Sequence, residues 1–349
     1  MTGEPMFSFS RLFRFLLALV ACGSSLGAEL RFAELGDFSL ESGEVVENCR
    51  IAYRTHGTLN AGKSNVILWP TWFSGSTKDL EVYMDRETGW VDVEKHFVIT
   101  VGALGNGVST SPSNSQTQPR ESFPAFTIAD MVRTQRKLLA QEFGVAKLHA
   151  VMGISMGGMQ TFQWAVMFPD AVERAIPVVG SPQLAPYDLL LWKTELRAIE
   201  TALAAYDDAD KAEAEAMALL AGLHELALSS PANFNAGNGR GQVELLLASK
   251  SSQMIADKDP YDWAAQLRAM IAHDVTIRLA GSLEAAGRAM RAETLVIVAR
   301  QDHMVTPGPA LEIARHAGAD TLILETDCGH LGPGCSSAEV RAKTLPFLE

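Results

Sequence analysis

Val151-Met152-Gly153-Ile154-Ser155-Met156-Gly157-Gly158-Met159-Gln160 joins an apolar run to a helix-forming one through the pattern Gly-x-Ser-x-Gly. Leu148 to Met152 predicts a short buried strand, and Met156 to about Phe168 predicts a helix. In so tight a turn Ser155 takes a strained backbone and presents Oγ at the C-terminal edge of a sheet. Side chains two residues before or after it would clash, which accounts for Gly153 and Gly157. The N–H of Met156, opening the helix, is placed to receive negative charge on a substrate oxygen. A bare match to this pattern is weak, because Gly and Ser are common. The strand before it and the helix after it make it informative.

Working outward, residues 45–55, Asn65 to Trp69 and His96 to Val101 predict further strands. The compact apolar runs among them suit strands covered on both faces of a parallel sheet. Residues 105–126, rich in Gly, Ser, Asn and Pro, predict a long loop. Thr127 with Asp130 three residues on predicts a capped helix start, Ile128, Met131, Val132, Leu138, Leu139 and Phe143 follow at helical spacing, and Gly144 supplies the stop. Beyond Pro182 the chain turns Ala-rich and helical, with Leu196, Ile199, Leu203 and Tyr206 on one face. Strands return at Thr294 to Val298 and Thr321 to Leu324. The expected fold class is α/β: a mostly parallel central sheet flanked by helices, built from residues 29–181 and 286–349 and interrupted by a helical cap at 182–285.

A serine hydroxyl needs a positioned base. Of the eight histidines, His330 in Asp327-Cys328-Gly329-His330 lies just past the last core strand, where a loop returns it over Ser155. His149 falls in a strand and His224 in a cap helix, which fits packing or surface roles. His303 directly follows the best acid, and adjacent side chains rarely face the same point. That acid is Asp302, immediately after a core strand, with the role of orienting His330 and stabilising its imidazolium. Asp327 is the rival, too close to His330 along one loop. The order Ser155, Asp302, His330 is that of the α/β-hydrolase fold. The second oxyanion donor is expected in Thr71-Trp72-Phe73-Ser74-Gly75, from the N–H of Phe73; the alternative is that Trp72 and Phe73 only wall the pocket.

Over 349 residues, Lys+Arg 29 stand against Asp+Glu 41, a formal net charge of −12 with 47% hydrophobic residues. This is an ordinary folded composition. No basic run suits nucleic acid as a partner, and beyond the N-terminus no apolar run is long enough to span a membrane. Arg11 and Arg14, the apolar run Phe15 to Ala21 and the small residues to Ala28 predict a signal peptide over residues 1–28. Leu19-Val20-Ala21-Cys22 resembles a lipobox, which would put a lipid anchor on Cys22; Ser25-Leu26-Gly27-Ala28 offers ordinary cleavage instead. The expected location is secreted or periplasmic. In an oxidising compartment Cys328 and Cys335 could close a small disulfide loop. No spacing suits a zinc site.

The chain resembles the homoserine O-acetyltransferases. Phe123-Pro124-Ala125-Phe126-Thr127-Ile128-Ala129-Asp130-Met131-Val132-Arg133 is similar to that family's approach to the elbow, and Gly153 to Gln160 is similar to the elbow itself. Asp302 and His330 fall on its acid and base positions, and Thr71 to Gly75 on its oxyanion loop with different residues. The resemblance implies an α/β-hydrolase core with a helical cap, an acyl-serine intermediate and often a homodimer. Members that acetylate homoserine carry an Asp after the catalytic His to meet the amino group. Leu331 stands there, and an apolar side chain cannot pair with an ammonium. No Arg in the cap aligns with the one that binds the acceptor's carboxylate.

Export would also separate the enzyme from cytosolic acetyl-CoA, whereas water is always available to an acyl-serine. The expected function is therefore an exported carboxylic-ester hydrolase, with no cofactor and a small-molecule ester or acyl substrate. One alternative is acetyl transfer to homoserine or another alcohol, with acetyl-CoA as co-substrate only. The alternative of another class is a non-catalytic hydrolase-like binding protein.

Overall fold

A computed structural model describes residues 28–349. Cys22 and all but the last residue of the expected signal peptide lie outside the described residues. The centre of the fold is an eight-stranded sheet in the order β1-β2-β4-β3-β5-β6-β7-β8. Its strands are β1 (Arg31–Ser39), β2 (Val45–His56), β3 (Val66–Pro70), β4 (Phe97–Val101), β5 (Leu148–Ile154), β6 (Val172–Val178), β7 (Glu293–Ala299) and β8 (Asp320–Leu324). β1 and β2 run antiparallel to their neighbours; from β4 to β8 every pairing is parallel. Every residue of β3 and β4 is buried, because helices cover both faces of a parallel sheet.

Two strands had no counterpart in the sequence reading. β1 forms an irregular antiparallel edge, with register shifts around Gly36 that break its alternation. β6 opens on Val172, Glu173 and Arg174 and contains Pro177, so no continuous apolar run marks it.

Thr127 caps α1 (Ile128–Leu138), accepting from the Asp130 N–H while Asp130 reaches back to the Thr127 N–H. The last turn widens into a π-helical segment, Leu139–Phe143, before Gly144 stops it in the left-handed region at φ 58°. α2 (Met156–Met167) follows β5. Between β6 and β7 the chain runs through α3 (Pro186–Ala205), α4 (Ala209–Leu228), α5 (Pro231–Gly237), α6 (Val243–Asp257), α7 (Pro260–Ile271) and α8 (Leu283–Ala289). α9 (Gly308–Ala317) lies between β7 and β8, and α10 (Gly332–Cys335) and α11 (Ser337–Phe347) close the chain. No helix among the described residues is long and apolar enough to cross a membrane.

One apolar cluster fills the face of the sheet under α1, α2 and the inserted helices, around Met159, Trp164, Trp192 and Trp263. A second, around Trp69, Trp90 and Leu295, fills the other face. The segments that follow β3, β5, β7 and β8 all leave the same edge of the sheet, which gathers their side chains at one place.

Candidate active site

Ser155 sits between β5 and α2 with φ 57° and ψ −120°, a conformation that costs about 1–3 kcal/mol for a residue with a side chain. Its N–H donates to the Val178 carbonyl at 2.8 Å, so β6 holds the turn from the side. A Cβ on Gly153 would lie 2.3 Å from the Gly157 carbonyl oxygen, and a Cβ on Gly157 would lie 2.7 Å from that of Pro70. Both contacts are with backbone, which cannot step aside.

His330 lies in the single turn Gly329–Leu331 after β8. Its Nδ1 is 2.7 Å from Asp302 Oδ2 and its Nε2 is 2.8 Å from Ser155 Oγ. The ring thus bridges acid and hydroxyl, although the two ring nitrogens lie 28 and 175 residues from their partners in sequence. Asp302 is buried, and its other oxygen accepts the N–H groups of Met304 and Val305, each at 2.9 Å. From α3, Asp188 accepts from the N–H and hydroxyl of Thr306 and steadies the same loop. Burial holds the Asp188 carboxyl above its ordinary pKa, against the pull of those hydrogen bonds.

The rival residues are engaged elsewhere. Asp327 accepts from Gln301 Nε2 at 2.8 Å, His303 Nε2 lies 3.1 Å from the Leu226 carbonyl, and His149 Nε2 lies 2.8 Å from the Leu348 carbonyl.

In the loop after β3, the N–H of Thr71 donates to Val101, that of Ser74 to Gln266 Oε1 and that of Gly75 to Trp72. The N–H groups of Trp72 and Phe73 have no acceptor among the described residues. That of Met156 is one of the orphan donors of a helix start. A buried polar chain ties the loop to α2: Trp164 Nε1 donates to Gln135, Gln135 to Gln160 Oε1 at 2.5 Å, and Gln160 Nε2 to the carbonyls of Thr71 and Met156. Gln266 on α7 and Lys258, whose Nζ donates to the Ser74 carbonyl, clamp the loop from the side of the inserted helices.

A cavity of about 450 Å³ opens above Ser155 and His330. Its wall is aromatic and apolar, with Trp72, Phe73, Tyr83, Trp192 and Leu331, and among the described residues it carries no Arg, Lys, Asp or Glu. Burial raises the Tyr83 phenol above its ordinary pKa. His224 also lines this cavity, which the packing or surface role expected from its helical position did not anticipate. The signal missing from the sequence was its contact with Glu195, which joins two separate helices. Cys335 lines the cavity as well and is joined to Cys328 in a disulfide.

Residues 91–333 match the model of the alpha/beta hydrolase fold family. The chain belongs to the α/β hydrolases. This hydrolase is 32% identical to an ethyl acetate hydrolase of Pseudomonas veronii, over 85% of its own length and 88% of the relative's. A shorter match, 39% identical over 46% of the chain and 48% of the relative, is to the homoserine O-acetyltransferase of Nautilia profundicola. Among solved structures, an acetylester hydrolase from Corynebacterium glutamicum superposes with a TM-score of 0.83 at 30% identity, covering 92% of this chain and 95% of that one. The resemblance to homoserine O-acetyltransferases and the expected fold are both borne out. The hydrolase is esterase-like, related to acetylesterases and to homoserine O-acetyltransferases.

Proposed function

We propose that this hydrolase cleaves small carboxylic esters through an acyl-Ser155 intermediate, with Ser155, His330 and Asp302 as catalytic triad. The observation that carries the reading is the His330 ring, 2.7 Å from Asp302 and 2.8 Å from Ser155 at the floor of the cavity. His330 Nε2 takes the hydroxyl proton as Ser155 Oγ attacks the ester carbonyl. The same nitrogen then returns that proton to the leaving alcohol oxygen. Water, deprotonated by His330, attacks the acyl-serine in the second half and releases the acid. Asp302 holds the ring by Nδ1 and offsets the imidazolium charge. The oxyanion is received by the N–H groups of Met156 and Phe73; in the loop after β3 the N–H groups of Phe73 and Trp72 have no acceptor among the described residues, while those of Thr71, Ser74 and Gly75 are engaged.

Hydrolysis is favoured over transfer to homoserine by the cavity wall. Leu331, half exposed and lining the cavity, offers an ammonium nothing, and the lining has no Arg to meet a carboxylate. Acetyl esters are the first substrates to try, since two of the relatives carry ethyl acetate and acetylester hydrolysis in their names. Ser155→Ala is expected to lower kcat for ethyl acetate by about 10⁴-fold or more, measured by acid release at constant pH. A variant that keeps most of its turnover overturns the mechanism. Release of the CoA thiol from acetyl-CoA that accelerates on adding homoserine would favour the transferase instead.

Export to the periplasm or beyond, with residues 1–28 as its address, is part of the same proposal. Cell fractionation of the full chain tests it. The homodimer is likewise proposed, and the mass in solution decides it.

A further inference from the structure

Glu195 on α3 is fully buried, and neither carboxylate oxygen has a hydrogen-bond partner among the described residues. Its Oε1 lies 3.4 Å from Nδ1 of His224 on α4, within ion-pair distance. An acidic side chain kept inside an apolar layer with one poorly aligned partner costs stability, so the pair calls for an explanation beyond packing. Three aromatic rings hold the imidazole: Trp263 edge-on at 5.0 Å between centroids, Phe73 at 6.1 Å and Trp192 at 6.3 Å. With Nδ1 turned to Glu195, Nε2 is the ring nitrogen left over, and no hydrogen bond among the described residues uses it. The ring lines the cavity that holds Ser155 and His330, and also borders a smaller adjoining one of about 180 Å³.

We infer that His224, oriented by Glu195, is a specificity-determining contact that binds a hydroxyl group carried by the ester substrate. The inference rests on the esterase reading and names its substrate class. A hydroxyl is the complement the geometry asks for, because it both donates and accepts and so satisfies Nε2 whether or not that nitrogen carries a proton. The surrounding wall, Trp72, Phe73, Trp192 and Leu228, offers a hydroxyl no acceptor, since indole nitrogens only donate, the Trp192 one having no partner among the described residues. A hydroxyl meeting these residues alone would keep its own proton unpaired. Glu195 touches no substrate in this scheme; it is a positioning residue acting through His224.

Two isosteric pairs of esters test this: 2-hydroxyethyl acetate against propyl acetate, with the hydroxyl on the alcohol, and ethyl glycolate against ethyl propionate, with it on the acyl group. The readout is the ratio of kcat/KM within each pair. The wild-type enzyme is expected to favour the hydroxylated member of at least one pair. His224→Phe should lower that ratio about tenfold, mainly through KM, and Glu195→Gln by a smaller factor in the same pair. Should His224→Phe fail to fold, His224→Asn and the volume-conserving Glu195→Gln carry the same comparison.

A wild-type enzyme with no preference in either pair overturns the inference. So does a preference that survives in the variants, or an equal loss on both members of a pair, which marks a purely structural role. If no ester of either pair is turned over through Ser155, the esterase reading itself has failed and this inference with it. That outcome is distinct, because no ratio can then be formed.

Discussion

Gly157 shows how tightly the turn that carries Ser155 is confined. The first turn of α2 passes so close to the end of β3 that an added methyl would meet the Pro70 carbonyl oxygen at 2.7 Å. Pro70 leads directly into Thr71, whose carbonyl is held by Gln160, so relieving the clash would part the loop after β3 from α2. These two segments carry the proposed oxyanion donors. Gly157→Ala is therefore expected to lose about 1–3 kcal/mol of stability and, because a displacement near 1 Å is enough to spoil the geometry, about 10²-fold in kcat/KM. A urea melt and an ethyl acetate assay on the same preparation would check both figures. Wild-type turnover in that variant would mean that the oxyanion donors tolerate separation.

The element that carries His330 is a short loop between β8 and α11, closed on itself by the Cys328–Cys335 disulfide. Gly329 in this loop adopts φ 65°, and a side chain there would meet the backbone of Ser229 and Ser230 at the end of α4. The loop is thus held by a covalent link on one side and by the inserted helices on the other. Closing so small a loop stabilises by about 2 kcal/mol in the chain-entropy model. Breaking the disulfide, by reductant or by Cys328→Ser with Cys335→Ser, is expected to lower the unfolding free energy by about that amount. It should also reduce kcat more than KM, since His330 lies between the two cysteines. Calorimetry and ester kinetics with and without reductant would show this; activity indifferent to the bond would place the restraint elsewhere. Cys49 does not confuse the experiment, being buried with its thiol pushed up to about 12 by burial.

At the scale of the whole molecule, two buried histidines link stability to pH. Burial pushes His96, beside His149, and His273, next to the Ser181 carbonyl, from 6.5 down to about 4. The unfolded chain therefore takes up protons first as pH falls below 6.5, and stability present at neutral pH drains away down to pH 4. The expected loss between pH 7 and pH 5 is about 2–4 kcal/mol for the pair. Burial raises the Asp262 carboxyl to about 7, so that group gains stability over the same fall in pH. The pair's share is read from the denaturant midpoints of wild type and histidine variants compared at the two pH values. His273→Gln should show a shallower decline, and equal declines in variant and wild type would assign the effect to other groups.

Much of this architecture was legible in the linear chain because its signals are local. Runs such as Val66 to Pro70, the Thr127–Asp130 cap and the glycines around Ser155 are constrained by their own neighbours, and Asp302 and His330 follow core strands in a recognisable order. β1 and β6 escaped because an irregular edge and a strand opening on charged residues lack a periodic imprint. What tertiary structure alone decided is the pocket. Gln266 reaches Ser74 across 192 residues, Asp188 reaches Thr306 across 118, and His224 meets Glu195 from a different helix. Periodicity records which face of a helix is apolar, but not which distant helix that face will meet, so these polar contacts emerge only once the chain is packed.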